Sequence, residues 1–284
     1  MRRFSTSALA LALGAVLVSV PLWSRAGVTG WMAEKAAGYA ERAVEKVLPA
    51  APPVAMPRTN GFAGCAAHFP GATPLDVSKV DASWKPRSLC ASQYAVLYSG
   101  LSKTPLVVVE RLTQNKLADA LDEQRSEEFF ADVRLPAGER AELTDYAGSG
   151  FDRGHLAPAA DQPDAVSMAQ SFALSNIVPQ DPQNNRKVWA KLESDTRKYA
   201  RRAGGNVYVF TGPLFNGERR TIGAGKVWVP THMFKLVYDE QSGRSWAFIL
   251  PNTAAARLGP PMSYDDFVKQ TGWSVLGSRA VSAQ

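Results

Sequence analysis

The sequence predicts an α+β domain with one helix laid against an antiparallel sheet. Three observations lead there: strand-like runs in both halves of the chain, one strongly helical stretch between them, and a glycine-rich polar loop before that helix. At 284 residues, with 45% hydrophobic and 20% charged composition, the chain is ordinary for a globular protein and can bury one large core.

The amino end stands apart. Arg2 and Arg3 precede an apolar stretch from Ala8 to Trp23, followed by Ser24, Arg25 and Ala26. Residues 1–26 therefore read as a secretory signal peptide or an uncleaved N-terminal membrane anchor. A buried helix fits less well, because no polar face interrupts the apolar run. Both favoured readings imply export, with the protein periplasmic, secreted or held by its N-terminal segment.

Residues 27–59 form the next unit. Gly27 to Leu48 has an amphipathic helical pattern, and Pro49-Ala50-Ala51-Pro52-Pro53 stops it with a stiff, extended composition, together suggesting a stalk and linker. A folded domain is expected over 60–284, because Phe62, Cys65 and Phe69 bring the first concentrated core candidates. Cys65 and Cys90 are the only cysteines. In an exported chain they are expected to pair, tying the entry segment to the first strand; in a reducing compartment they would remain buried thiols.

Within the domain, Tyr94 to Tyr98 and Pro105 to Leu112 are rich in β-branched and aromatic residues and read as an antiparallel pair. Asn185 to Ala203 reads as the helix, with Lys, Arg and Glu surrounding Val188, Trp189, Leu192 and Tyr199. Further strands are expected at Val207 to Leu214, Val227 to Asp239 and Ser245 to Pro251, with turn chemistry beside them at Gly204-Gly205 and Gln241-Ser242-Gly243.

Charge is a weak guide. The formal net charge is +6, but residues 1–26 hold three arginines and no acid, leaving 29 basic against 26 acidic residues in the remainder. A mildly basic surface suits a protein that meets a polyanion and releases it, and suits many other proteins as well.

The chemistry concentrates in GSGFDRGHLAPAAD, Gly148 to Asp161, where an acid, a guanidinium and an imidazole fall within four residues on a backbone expected to be an irregular loop. His155 can take a proton from water near neutral pH. Thirty residues on, Asn185, Trp189, Glu193 and Arg197 recur at four-residue spacing and form one helical stripe. An amide, a carboxylate and a guanidinium suit a hard cation and a phosphate, or else an exposed face with a Glu193 to Arg197 ion pair.

The run DRGH, followed by SNIVPQDPQNN and WAKLE, closely resembles the DNA/RNA non-specific endonucleases of the ββα-metal (His-Me finger) group, over roughly residues 60 to 275. The resemblance implies that fold, with antiparallel sheet and a metal-ligand helix packed on it. It also implies Mg²⁺-dependent hydrolysis of DNA and RNA, with Mn²⁺ or another divalent cation admissible, leaving 5′-phosphate and 3′-hydroxyl ends. By position, His155 resembles the general base, Asn185 the direct metal ligand, Glu193 the acid that holds metal-bound water, and Arg197 a phosphate-contacting arginine. Arg153 corresponds to support for the scissile phosphate or the loop, and Asp152 to a loop-fixing acceptor. Arg125 matches a further phosphate arginine loosely, a surface role being the alternative.

Asn184 is an alternative amide, but counting back eight residues from Glu193 selects Asn185. Trp189 is expected to anchor the helix in the core, and His68 and His232 lack comparable context. A non-cleaving nucleic-acid-binding or uptake module of the same fold is the competing expectation, and a phosphodiesterase for small diesters ranks below it. A protein inhibitor and a homodimer are conceivable partners.

Overall fold

The computed structural model describes residues 54–57, 61–121 and 128–276. The expected export segment, most of the stalk and Arg125 lie outside the described residues. Among those described, no helix is long and apolar enough to cross a membrane.

The strands are β1 (Pro86–Cys90), β2 (Tyr94–Ser99), β3 (Thr104–Leu112), β4 (Asp152–His155), β5 (Ile177–Gln180), β6 (Val207–Leu214), β7 (Arg220–Ile222), β8 (Val227–Val229), β9 (His232–Asp239) and β10 (Ser245–Pro251). The α-helices are α1 (Gln114–Asp119), α2 (Leu143–Tyr146), α3 (Ala165–Ser171), α4 (Ala190–Ala200) and α5 (Tyr264–Thr271). Six strands form one antiparallel sheet in the order β1-β2-β3-β6-β9-β10. The pairs β4-β5 and β7-β8 form separate two-stranded ribbons. This is an α+β molecule with antiparallel sheet, as the sequence predicts.

Alternation along the strands builds two cores. On one face Ala95, Leu97, Val109, Phe210, Phe234 and Leu236 pack beneath Phe62, Phe69 and Phe267 of α5. On the other, Tyr94, Val96, Tyr98, Val108 and Met233 pack beneath Trp189 and Leu192. With both faces covered, the central strands are buried along nearly their whole length, so they read as apolar runs and not as alternating ones.

Cys65 and Cys90 are joined by a disulfide that ties the turn Ala63–His68 to the end of β1. β1 escapes sequence reading because its Pro-Arg-Ser-Leu-Cys run is short and half exposed. The expected strand Val227 to Asp239 is two strands, β8 and β9, which join different sheets. The break falls at Pro230, which has no N–H to give a ladder. Val54 and Met56, placed by the sequence pattern in the linker, pack on the domain, and Pro57 O accepts a hydrogen bond from Arg134 Nη1 at 3.1 Å.

Candidate active site

The Asp-Arg-Gly-His run is not the irregular loop its glycines suggest. It is strand β4, paired with β5 so that Asp152 faces Gln180, Arg153 faces Pro179, Gly154 faces Val178 and His155 faces Ile177. Gly154 is required by close approach: a Cβ there would lie 2.1 Å from Gln180 Oε1. The space it leaves holds the Gln180 amide, whose Nε2 donates to Asn184 Oδ1 at 2.8 Å.

Arg153 and His155, two residues apart, share one face of the ribbon. The Arg153 guanidinium sits 4.3 Å over the Phe129 ring. The His155 imidazole lies 5.4 Å from that ring and meets Phe172 edge to face at 4.8 Å. These rings fix the imidazole's orientation and shield part of it from water. The chain leaving His155 is held by Asn176: its Oδ1 accepts from Ala157 N, and its Nδ2 donates to Ala157 O and Ser171 O, each at 2.9 Å. Asn176 lies inside the SNIVPQ run, so the motif held the signal although no role was read from it.

Asp152 links the ribbon to the helix. Its Oδ2 accepts from Asn185 Nδ2 at 3.0 Å, and its two oxygens accept from Arg186 Nε at 2.8 Å and Nη2 at 2.6 Å. Burial alone would raise the Asp152 carboxyl, but the hydrogen bonds from Arg186 and Asn185 outweigh it and hold the group below its usual range. The expected local bonding of Asp152 to the loop backbone is thus replaced by bonds to side chains 33 and 34 residues away.

The neighbouring amides separate clearly. Asn184 is buried, with Oδ1 occupied by Gln180 and Nδ2 by Pro251 O at 2.8 Å. Asn185 is half-buried, and with Nδ2 committed to Asp152 its Oδ1 is the amide oxygen available to a cation or another donor. Among the described residues no group of three or more His, Cys, Asp or Glu side chains could hold a metal ion. Any cation at Asn185 would draw on one amide with water and substrate oxygens, a donor set suited to a hard ion such as Mg²⁺.

The helix is not α-helical throughout. Asn184–Trp189 is a π-helical turn that passes directly into α4. Wider π spacing removes Asn185 from the strict α-stripe of Trp189, Glu193 and Arg197. Asn185 turns toward Asp152, while Trp189 is buried with Lys235 Nζ 5.2 Å from its ring.

Beneath Glu193 and Arg197 lies a buried set of charges that sequence reading missed. Arg197 Nη1 bonds Asp161 Oδ1 at 2.9 Å, so the alternative of a Glu193 to Arg197 ion pair gives way to one with Asp161. Lys235 Nζ donates to Thr211 Oγ1 at 2.9 Å. Burial pushes the Glu193 carboxyl up to about 7, against the pull of Lys235 and Arg197. Glu110 of β3 is 2% exposed, and neither carboxylate oxygen has a hydrogen-bond partner among the described residues. Burial, then the nearby Asp161 charge, raise it to about 8, with Lys116 and Lys235 opposing. Glu110 and Lys235 sit in apolar strand runs, and only the sheet brings them under the helix. His232 opens β9 beside Thr231, outside this cluster, and burial lowers the His68 imidazole to about 4.

A two-stranded ribbon bearing Asp-Arg-Gly-His, joined through Asp152 to an asparagine-bearing helix, defines the ββα-metal class of nuclease. The chain belongs to the DNA/RNA non-specific endonuclease family, whose model matches residues 72–278. It is 34% identical over 259 residues to mitochondrial endonuclease G of Bos taurus, covering 86% of this chain and 82% of that protein. It is 39% identical over 180 residues to nuclease C1 of Cunninghamella echinulata, covering 57% of this chain and 69% of that one. A match to mitochondrial nuclease EXOG of Xenopus laevis, 35% identical, spans 56% of this chain and about half (49%) of that relative. A chain of the crystal structure of the EndoG/EndoGI complex superposes with TM-score 0.64 at 27% identity, covering 80% of this chain and 94% of that one. The enzyme class is accordingly hydrolase, of nuclease type.

Proposed function

We propose that this chain is a divalent-cation-dependent endonuclease that hydrolyses phosphodiester bonds in DNA and RNA without strong sequence preference, leaving 5′-phosphate ends. The observation that carries the proposal is the coupling of His155 and Asn185 through the β4-β5 ribbon, with Asp152 orienting the Asn185 amide. Asn185 is the residue to hold the cation, Mg²⁺ in the first instance with Mn²⁺ or another divalent ion as alternatives. When bound, such an ion supplies Lewis-acid stabilisation of the charge that develops on phosphate oxygens.

His155 accepts the proton of the attacking water, its ring held by Phe129 and Phe172. Arg153 and Arg197 bind the scissile phosphate with guanidinium forks that Phe129 and Asp161 hold in place. Glu193, raised to about 7, both carries and releases a proton near neutrality, which suits it to orienting water beside the departing 3′ oxygen. Export of the protein belongs to the same proposal: a disulfide is at home in an oxidising compartment. A protein inhibitor is proposed as a partner because a structural neighbour is an EndoG/EndoGI inhibition complex.

The test is degradation of supercoiled plasmid and of RNA by purified protein, with Mg²⁺ and with EDTA. His155→Ala should lower the Mg²⁺-dependent rate by about 10²–10⁴-fold while the melting curve stays unchanged. Cutting at the wild-type rate by that variant would overturn the assignment of the base. Saturable DNA binding without cleavage across several divalent metals would favour a binding module instead.

A further inference from the structure

Three arginines of the domain lie over aromatic rings. Arg153 lies 4.3 Å over Phe129, Arg220 lies 4.8 Å over Phe151, and Arg219 lies 3.7 Å over Trp228. All three are exposed. Arg87, Arg134, Arg140, Arg186 and Arg197 each pair with a carboxylate, but these three form no ion pair among the described residues. Unpaired guanidinium groups held over rings lose little freedom on binding and keep N–H donors for a phosphate.

Arg153 and Arg220 belong to one side of the ribbon, whereas Arg219 follows Trp228, which packs with Trp84 and Phe215 on the other face of the β7-β8 hairpin. Phe151 immediately precedes β4 and packs with Ile177 of β5 and with Ile222, Val227 and Val229 of the β7-β8 hairpin. The hairpin's turn is anchored as well, because Gly225 N donates to Asp145 Oδ1 at 2.6 Å. Arg220 therefore rides on a fixed hairpin docked beside the strand that carries Arg153 and His155. Glu218 is the acidic neighbour in sequence, and it pairs with neither arginine among the described residues.

The geometry points to a phosphate-binding track that leaves the site at Arg153 and continues onto the β7-β8 hairpin, where Arg220, held over Phe151, grips a backbone phosphate of a polynucleotide away from the scissile one. The choice of polynucleotide rests on the proposed nuclease function and on the repeated pairing of cation with ring, which suits a chain of phosphates carrying stackable bases. Such a track makes affinity depend on substrate length.

Fluorescence anisotropy on the full chain in EDTA, with labelled thymidine oligonucleotides of about 20 and about 3 nucleotides, reads the track without cleavage. Arg220→Gln should weaken binding of the longer oligonucleotide about fivefold, shift the trimer far less, and make the salt dependence shallower by about 0.7 for the one lost phosphate contact. Lys269→Gln, the same charge change on α5, should leave both affinities at wild-type values. Equal weakening for both lengths, no weakening, or the same effect with Lys269→Gln would overturn the track. So would polyglutamate binding with equal strength and the same arginine dependence. Arginine-dependent binding by a protein that cuts nothing in Mg²⁺ would support the track while removing the nuclease proposal.

Discussion

Glu110 and Glu193 show how single side chains carry both site chemistry and a stability cost. Each is an acid raised in the folded protein, to about 8 and about 7, from an ordinary value of 4.5. The folded state then binds more protons than the unfolded chain between those limits. The sign follows: the stability these groups allow is fully present below about 4.5 and is lost as pH rises through about 7 to 8. Glu110→Gln, which cannot ionise, should flatten that decline. Denaturant unfolding should show its stability, relative to wild type, improving by at least about 1 kcal/mol between pH 5 and pH 8. A parallel pair of pH profiles would show that Glu110 does not ionise at a cost. His155 was legible at this scale because three chemical groups crowd into four residues, whereas Glu110 and Lys235 lie inside apolar strand runs with nothing local to mark them.

At the scale of elements, the site depends on a ribbon and a helix meeting through Asp152. Asp152→Ala would release Asn185 Nδ2 and the Arg186 fork together. The variant should need a higher cation concentration for half-maximal cleavage, with activity down about 10–100-fold, because residues that orient a ligand cost that much when removed. A Mg²⁺ titration of plasmid cleavage checks it, and an unchanged midpoint would mean that Asn185 is oriented by something else. The helix was legible as an element from its period. Its π turn was not, since the same polar and apolar order fits both windings and the register is set by burying Trp189 against Lys235. The DRGH strand was hidden likewise: glycine at Gly154 looked like loop chemistry, but answers the Gln180 side chain across the ribbon.

For the whole molecule, the covalent tie between Cys65 and Cys90 closes a loop with a sequence separation of 25. Restricting the unfolded chain to that extent is worth about 3–4 kcal/mol. Cys65→Ser with Cys90→Ser should lower unfolding stability by about that amount, measured by urea titration at fixed pH. A variant as stable as wild type would show that the entry segment is held by Phe62 and Phe69 packing on the sheet alone. The two cores on opposite sheet faces also separate stability from chemistry: Phe62, Phe69 and α5 cover one face, while the charged cluster lies on the other beneath α4.

The sequence by itself determined the α+β class, the central strands, the helix and the place of the DRGH motif from which His155 is proposed as the base, because local period, β-branching and a dense motif are properties of neighbours along the chain. Tertiary structure alone decided that Asp152 serves Asn185, that Asn184 is spent on Gln180 and Pro251, that Arg197 pairs with Asp161, and that Glu110 and Lys235 underlie the site. Those contacts join residues far apart in sequence, and their partners are chosen by which strand edges pair and which face is buried.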